Sequence, residues 1–238
     1  AAAAALLVGH WAVLTLCRAP DAAALLASTD PAVVKKVAQY AAWGTDNFSF
    51  IGNFAGWVDR AFMPGWFYVG IFDPDGLLAK MTGVVTALFG TFAGDLLRRK
   101  ELSGNRKTLA LLGAAAVTGA LVFAWKPWCP VNKKIWTSTF VLAAGAYSFF
   151  MLAVFYWIID VKGWRRWAFF FQVIGMNSIT IFVGKRFLGF GQVSKFFFSG
   201  VASLGNAGYH DFVIALGTIA VEWMFLYYLY RRKLFLKV

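Results

Sequence analysis

The chain has 238 residues, of which 60% are hydrophobic, 18% aromatic and 14% charged, and its mean hydropathy is +0.64. Such a composition cannot be folded behind a water-facing surface, so a soluble globular domain is excluded and the solvent is a bilayer. The formal charge of +12 does not point to nucleic acid, because the lysines and arginines gather at the ends of apolar stretches rather than along one face.

A span needs roughly 20 mainly apolar residues, and the sequence predicts an all-α polytopic bundle with about six crossings. The first runs from about Ala4 to Leu16. The opening Ala1 to Ala5 has no basic flank and no cleavage site, so the chain reads as one entered part-way rather than as a signal peptide. Residues 18–76 then form a long connecting segment with its own organisation. Asp21 to Leu26 and Asp30 to Ala42 each open on a capping aspartate, the second with Pro31 at the first helical position, and both read as short interfacial helices. Asn47 to Gly65, aromatic and glycine-rich with an Asp59-Arg60 pair, reads as a re-entrant or interfacial loop. Asp73 is expected at the N-cap and Pro74 at the first position of the next helix.

Clear spans follow at Leu77 to Leu97, Thr108 to Trp125, Ser138 to Ile159, Trp167 to Val183 and Phe212 to Tyr230. Between the last two, Lys185 to Tyr209 mixes glycine, serine and Phe196-Phe197-Phe198, a pattern that suits an interfacial turn. The clusters Arg98-Arg99-Lys100, Arg106-Lys107, Lys162 to Arg166 and Arg231-Arg232-Lys233 are topology signals. Placed in the cytoplasm, they put residues 18–76, the loop around Asn132 and the Lys185 segment outside, and the C-terminus inside.

Ionisable and amide groups away from those clusters carry the functional expectation, since burying them in a membrane protein is costly. Asp73 and Asp75 stand in Phe72-Asp73-Pro74-Asp75-Gly76, where a turn with a helix cap explains them equally well. Asn132 and Lys133 stand in Val131 to Ser138, which also reads as an interfacial Lys/Trp anchor. Asp59 and Arg60 are either a surface ion pair or a fixed pair in a cleft. Asn177 lies inside an apolar run, where hydrogen bonding between helices is the plain alternative. Carboxylates, amides and an ammonium at one mouth are what a polyhydroxylated ligand requires. With only two histidines, His10 and His210, a His-rich metal site is excluded. The two cysteines, Cys17 and Cys129, allow a disulfide in an oxidising compartment and equally read as two unpaired small residues.

Several ordered motifs resemble one family. Asn53-Phe54 through Asp59-Arg60, Phe72 through Leu78, Thr86-Ala87-Leu88-Phe89-Gly90, Val131 through Thr137, Ile159 through Trp164 and Gly175-Met176-Asn177-Ser178-Ile179 are similar to the C-terminal half of the transmembrane heparan-alpha-glucosaminide N-acetyltransferases and their bacterial relatives. The resemblance covers about residue 50 to the C-terminus. It implies acetyl transfer from acetyl-CoA in the cytosol to the amine of a terminal glucosamine across the membrane, without a metal. It also implies a catalytic histidine in an N-terminal half with no counterpart here, so no catalytic residue is assigned in this chain. Asp75 stands where a glutamate is usual, and Lys185 follows Phe182-Val183-Gly184 where the animal enzymes carry histidine.

The resulting expectation is a single transmembrane domain over residues 1–238, the C-terminal part of a membrane acyltransferase in a bacterial inner membrane. Asp59, Arg60, Asp73, Asp75, Asn132, Lys133 and Asn177 are its substrate-side residues, and acetyl-CoA is its donor. The alternative is a non-catalytic structural or assembly subunit of a larger membrane complex. The expected partners are lipids, other membrane subunits or the missing N-terminal half, and a second copy of the chain. A solute transporter draws on the same polar mouth, but the inverted repeat of many transporters is not visible. In the topology above, a Ser103→Cys variant is expected to react with an impermeant maleimide from the cytoplasmic side alone. Labelling from outside reverses the map.

Overall fold

The computed structural model describes residues 2–40, 44–63, 65, 67 and 69–236, which are helical with no strand among them. The chain divides into two compact units that part between Trp157 and Ile158. Ala41, Ala42, Pro64 and Val238, which end or fall within segments predicted above, lie outside the described residues.

In the first unit the long helices are α1 (Ala2–Leu16), α5 (Leu77–Arg98), α6 (Gly104–Trp125) and α7 (Ser138–Tyr156). Their apolar runs are helical because lipid offers no partner for a backbone amide, so every N–H and C=O has to be satisfied within the segment. The last turn of α7 widens into a π-helical turn, Trp157–Val161, and the chain then leaves the helix at Gly163, whose φ of +75° is the left-handed conformation a glycine adopts cheaply. Leu7 of α1, Val85 of α5 and Val141 and Leu142 of α7 form one buried cluster. Ala93 and Leu96 of α5, Leu111 of α6, and Phe149 and Ala153 of α7 form another, further along.

Small residues bring these helices close. A Cβ added at Gly119 would meet that of Ala146 at 3.9 Å, so α6 and α7 are in van der Waals contact there. Buried hydroxyls join neighbouring elements: Ser138 Oγ donates to the Leu7 carbonyl at 2.7 Å, and Thr82 Oγ1 to that of Trp136 at 3.0 Å.

One end of this bundle is covered by α2 (Ala22–Leu26), α3 (Pro31–Tyr40) and α4 (Phe54–Phe62). Asp30 caps α3 as expected, its Oδ1 accepting the Ala32 N–H at 2.8 Å. The stretch read as a loop from Asn47 to Gly65 contains α4. Asn53 starts it by accepting the Gly56 N–H at 2.6 Å while its amide donates to the Ser49 and Phe50 carbonyls. An N-cap followed by a single short amphipathic helix was hidden in the sequence by its glycines and aromatics. Phe50, Ile51, Ile71, Phe72 and Ile135 are the heart of the cluster that joins this cap to the loop before α7.

The second unit holds α8 (Ala168–Met176), α9 (Ser178–Phe187), α10 (Phe190–Ala202) and α11 (Ala207–Arg231). Here the structure departs from the predicted spans. The run from Trp167 to Val183 is not one helix: it breaks at Asn177, and α8 and α9 are bent by 68°. The segment read as an interfacial turn is the 13-residue helix α10, with Phe190, Ser194 and Ala202 on its buried face. It lies against α11, where Ser194 Oγ donates to the Ile214 carbonyl at 2.9 Å. Asn206 caps α11 by accepting the Tyr209 N–H at 2.9 Å, which moves the start of that helix ahead of Phe212. Among the described residues, four helices are long and apolar enough to cross a membrane, or five if the bent pair counts as one crossing; Ala2–Leu16 is shorter. The expected six is thus an approximate count.

At Gly145 a Cβ would lie 2.7 Å from two ring carbons of Phe89, whereas at Gly113 nothing lies within 4 Å. Gly145→Ala is therefore expected to cost about 1–3 kcal/mol by overpacking, and Gly113→Ala to be neutral or mildly stabilising through its better helix propensity. Thermal unfolding in detergent compares the two.

Candidate functional site

Asp59 and Arg60 do not pair with each other, because consecutive residues of α4 project in different directions. Arg60 instead forms a two-pronged ion pair with Asp21, Nε to Oδ2 and Nη2 to Oδ1 both at 2.7 Å, and Nη1 donates to the Ile71 carbonyl at 2.5 Å. This planar fork is geometry that lysine does not reproduce. It also explains why Asp21, predicted as a helix cap, makes no side-chain cap to α2.

Asp59 takes the capping role that the sequence assigned to Asp73. Its Oδ1 accepts the Leu77 N–H at 2.9 Å, and the backbone N–H of Asp73 bonds to it as well. The carboxylate thus closes the N-terminus of α5 across 18 residues of chain. Gly76 is the helix-start residue that allows this, since a Cβ there would run into that carboxylate. Asp73 makes a turn of its own, with Oδ1 accepting the Asp75 N–H at 2.9 Å and its carbonyl accepting that of Gly76 at 3.1 Å. Pro74 consequently precedes α5 rather than opening it.

The remaining candidates of this unit fall into two hollows. Asp75 is exposed and, with Lys80 and Trp136, borders a small cleft of about 150 Å³. Asn132 and Lys133 border a larger pocket of about 410 Å³, walled by Tyr40, Phe48 and Phe50 and also lined by Asp46 and Lys134. Asn132 shapes the loop, its Oδ1 accepting the Lys134 N–H at 2.9 Å and its own N–H donating to Thr137 Oγ1 at 2.9 Å. Trp136 next to it has φ +48°, a conformation uncommon for a bulky residue, and its carbonyl is held by buried Thr82.

Lys134 and Asp46 were not singled out from the sequence. The Lys134 ammonium lies 3.3 Å from Tyr40 Oη, 4.8 Å from that ring's centre and 5.4 Å from that of Phe50. The Val131 to Ser138 motif did contain Lys134, but only the fold brings Tyr40 and Phe50 beneath it.

Asn177 belongs to the second unit. It is 2% exposed at the break between α8 and α9, with its N–H on the Ile174 carbonyl, its carbonyl on the Ile181 N–H and Oδ1 accepting from Thr180 Oγ1 at 3.4 Å. Nδ2 has no partner among the described residues. The amide thus shapes a helix break, and among the described residues no bond from it reaches a helix beyond α8 and α9. His10 is buried between Leu7 and Leu14 on the inner face of α1, and half-buried His210 lies 3.4 Å from Asp211. Cys17 and Cys129 are both free thiols, and no cluster of three or more metal-ligating His, Cys, Asp or Glu residues occurs among the described residues.

Burial pushes the Asp59 carboxyl above its ordinary value of 3.8, more than the two backbone N–H groups and Arg60 pull it down, and the Asp73 charge adds to the rise. The folded state therefore holds the Asp59 proton more tightly than the unfolded chain does. Its contribution to stability is full below pH 3.8 and is lost as the pH rises through the raised value. Asp59→Asn is expected to remove this component of the pH–stability profile, although it also loses one of the accepted bonds. A profile of unchanged slope between acid and neutral pH contradicts the assignment.

No protein-family model matches the chain. Heparan-alpha-glucosaminide N-acetyltransferase from Mus musculus is 29% identical over 176 residues, which are 70% of this chain and 26% of that protein. The Homo sapiens protein of the same name is 31% identical over 176 residues, 70% of this chain and 25% of its own length. The chain thus spans about a quarter of the length of the curated relatives it matches. Together with its apolar helices, these similarities make it an integral membrane protein distantly related to the heparan-alpha-glucosaminide N-acetyltransferase family.

Proposed function

We propose that the chain is the acceptor-side part of a membrane acyltransferase that moves acetyl from acetyl-CoA to the amine of an amino sugar. The pocket between Tyr40, Phe50 and the Asn132 loop is the observation that carries this reading. It combines a carboxylate, Asp46, with the ammoniums of Lys133 and Lys134, an amide and a phenol on aromatic walls, which is a set of partners for a charged amine and several hydroxyls. In the reaction the amine nitrogen bonds to the thioester carbonyl, the C–S bond breaks, and coenzyme A leaves as the thiol after taking the amine's proton. Acylation needs the neutral amine, hence a base with a pKa near the working pH. On this reading the base comes from another segment.

The second reading, a structural or assembly subunit, is favoured by a specific observation. Asp59, Arg60 and Asp73 spend their side chains on the backbone of Leu77, Asp73, Ile71 and Asp75 and on the carboxylate of Asp21, and line neither hollow described above.

Glucosamine titrated into the purified chain separates the two. On the acyltransferase reading it binds, Asp46→Asn weakens it by about tenfold, as loss of a charged hydrogen bond does, and N-acetylglucosamine, which has no amine, binds less well. The chain by itself is expected to give no acetylglucosamine from acetyl-CoA. Absence of glucosamine binding, or binding indifferent to Asp46→Asn, removes the acceptor role and leaves the structural one.

A further inference from the structure

The second unit contains an ion pair in an unusual place. Glu222 lies well inside α11, about 22 Å from its start at 1.5 Å per residue, and its side chain is only 15% exposed. A carboxylate in the apolar middle of such a helix is costly unless paired. Lys185, at the end of α9, supplies the partner, with its Nζ 3.1 Å from Glu222 Oε2. Lys185 therefore lies in the last turn of a helix rather than in a loop, and its side chain reaches Glu222 well inside α11.

The pair is not closed off. It borders a pocket of about 440 Å³ whose other polar lining residues are Gln192 and Lys195 of α10. Gly189 and Gly191, at the start of α10, line it too, and at Gly191 there is open space where a Cβ would stand. Two ammoniums face one carboxylate, so the pocket keeps a single unbalanced positive charge. Large exposed apolar side chains flank these elements, with Phe187 81%, Phe196 80% and Phe197 68% exposed, which is the surface a lipid environment covers.

We propose that this pocket seats a phosphate group that carries a single negative charge. Lys195 and Lys185 hold the phosphate oxygens, Gln192 donates to one of them, and Glu222 fixes Lys185 in position while cancelling the second charge. The excess of one charge selects a monoanion over a dianion, and the apolar rim suits acyl chains. This site is independent of the amino-sugar pocket, and either can fail without the other.

The test is native mass spectrometry of the full chain in detergent, titrated separately with phosphatidylglycerol, phosphatidylcholine and inorganic phosphate. Phosphatidylglycerol is expected to bind best. Lys195→Gln should weaken it about fivefold, the worth of one basic side chain near an anionic headgroup. Glu222→Gln frees Lys185 and should tighten binding, whereas a merely structural pair would give no gain. The double variant Lys185→Gln/Glu222→Gln keeps the charge balance and should weaken binding through lost geometry. If inorganic phosphate binds with this same dependence and the two lipids do not differ, the anion comes from solution and the seat stands. Binding of all three probes that ignores Lys195→Gln, or that falls in a folded Glu222→Gln variant, overturns the proposal.

Discussion

The bundle end that carries the candidate pocket depends on the closure of α5 by the buried carboxylate of Asp59. The first amides of a helix have no partner within it, and at this position the N-cap residue is Gly76, which has no side chain to supply one. Asp59 reaches in from α4 instead, and its Oδ1 accepts the Leu77 N–H that Gly76 leaves without a partner. That bond joins a surface helix to a long apolar one. Arg60, the next residue, joins the same surface helix to Asp21 and to the Ile71 carbonyl. Two neighbouring side chains of one nine-residue helix therefore hold the connecting segment on both sides.

Above this foundation the apolar cluster of Phe50, Ile51, Phe72 and Ile135 supplies the bulk of the cap. Phe50 and Phe72 stack with their ring centres 5.1 Å apart, and Tyr40 meets both rings edge-on. The same Tyr40 and Phe50 then form the wall over which Lys134 lies. Cap stability and pocket chemistry are thus shared by the same aromatic rings, so substitutions at Tyr40 or Phe50 act on both. The Asn132 loop is shaped by its own hydrogen bonds and pinned by Thr82, so its polar groups face the pocket from a fixed backbone.

The second unit uses polar groups differently. Its interruption at Asn177 turns a stretch of continuous hydrophobicity into two helices, and Glu222, well inside α11, is matched by a lysine from the end of the second of them. Exposed phenylalanines along α9 and α10 leave the burial of this unit's surface to lipid, while the contact of α10 with α11 runs through Ser194, Phe198 and Gly217, where small size permits close approach.

Hydrophobicity, charge clusters and capping residues are local properties. From the sequence alone they determined that the protein is helical and membrane-bound, where α3 begins, and that α5, α6, α7 and most of α11 are long apolar helices. The family relationship was legible too, since it rests on ordered motifs rather than on contacts. Only the tertiary structure decided the partners of the charged groups. Arg60 lies beside Asp59 in sequence yet bonds Asp21, 39 residues away, and Lys134 rather than Lys133 meets the aromatic wall. The helical character of α4 and α10 was also beyond the sequence, because each is short and its stability comes from packing one face on a neighbour. The break at Asn177 was hidden for the related reason that an amide in an apolar run has the same hydropathy whether it bonds another helix or ends its own.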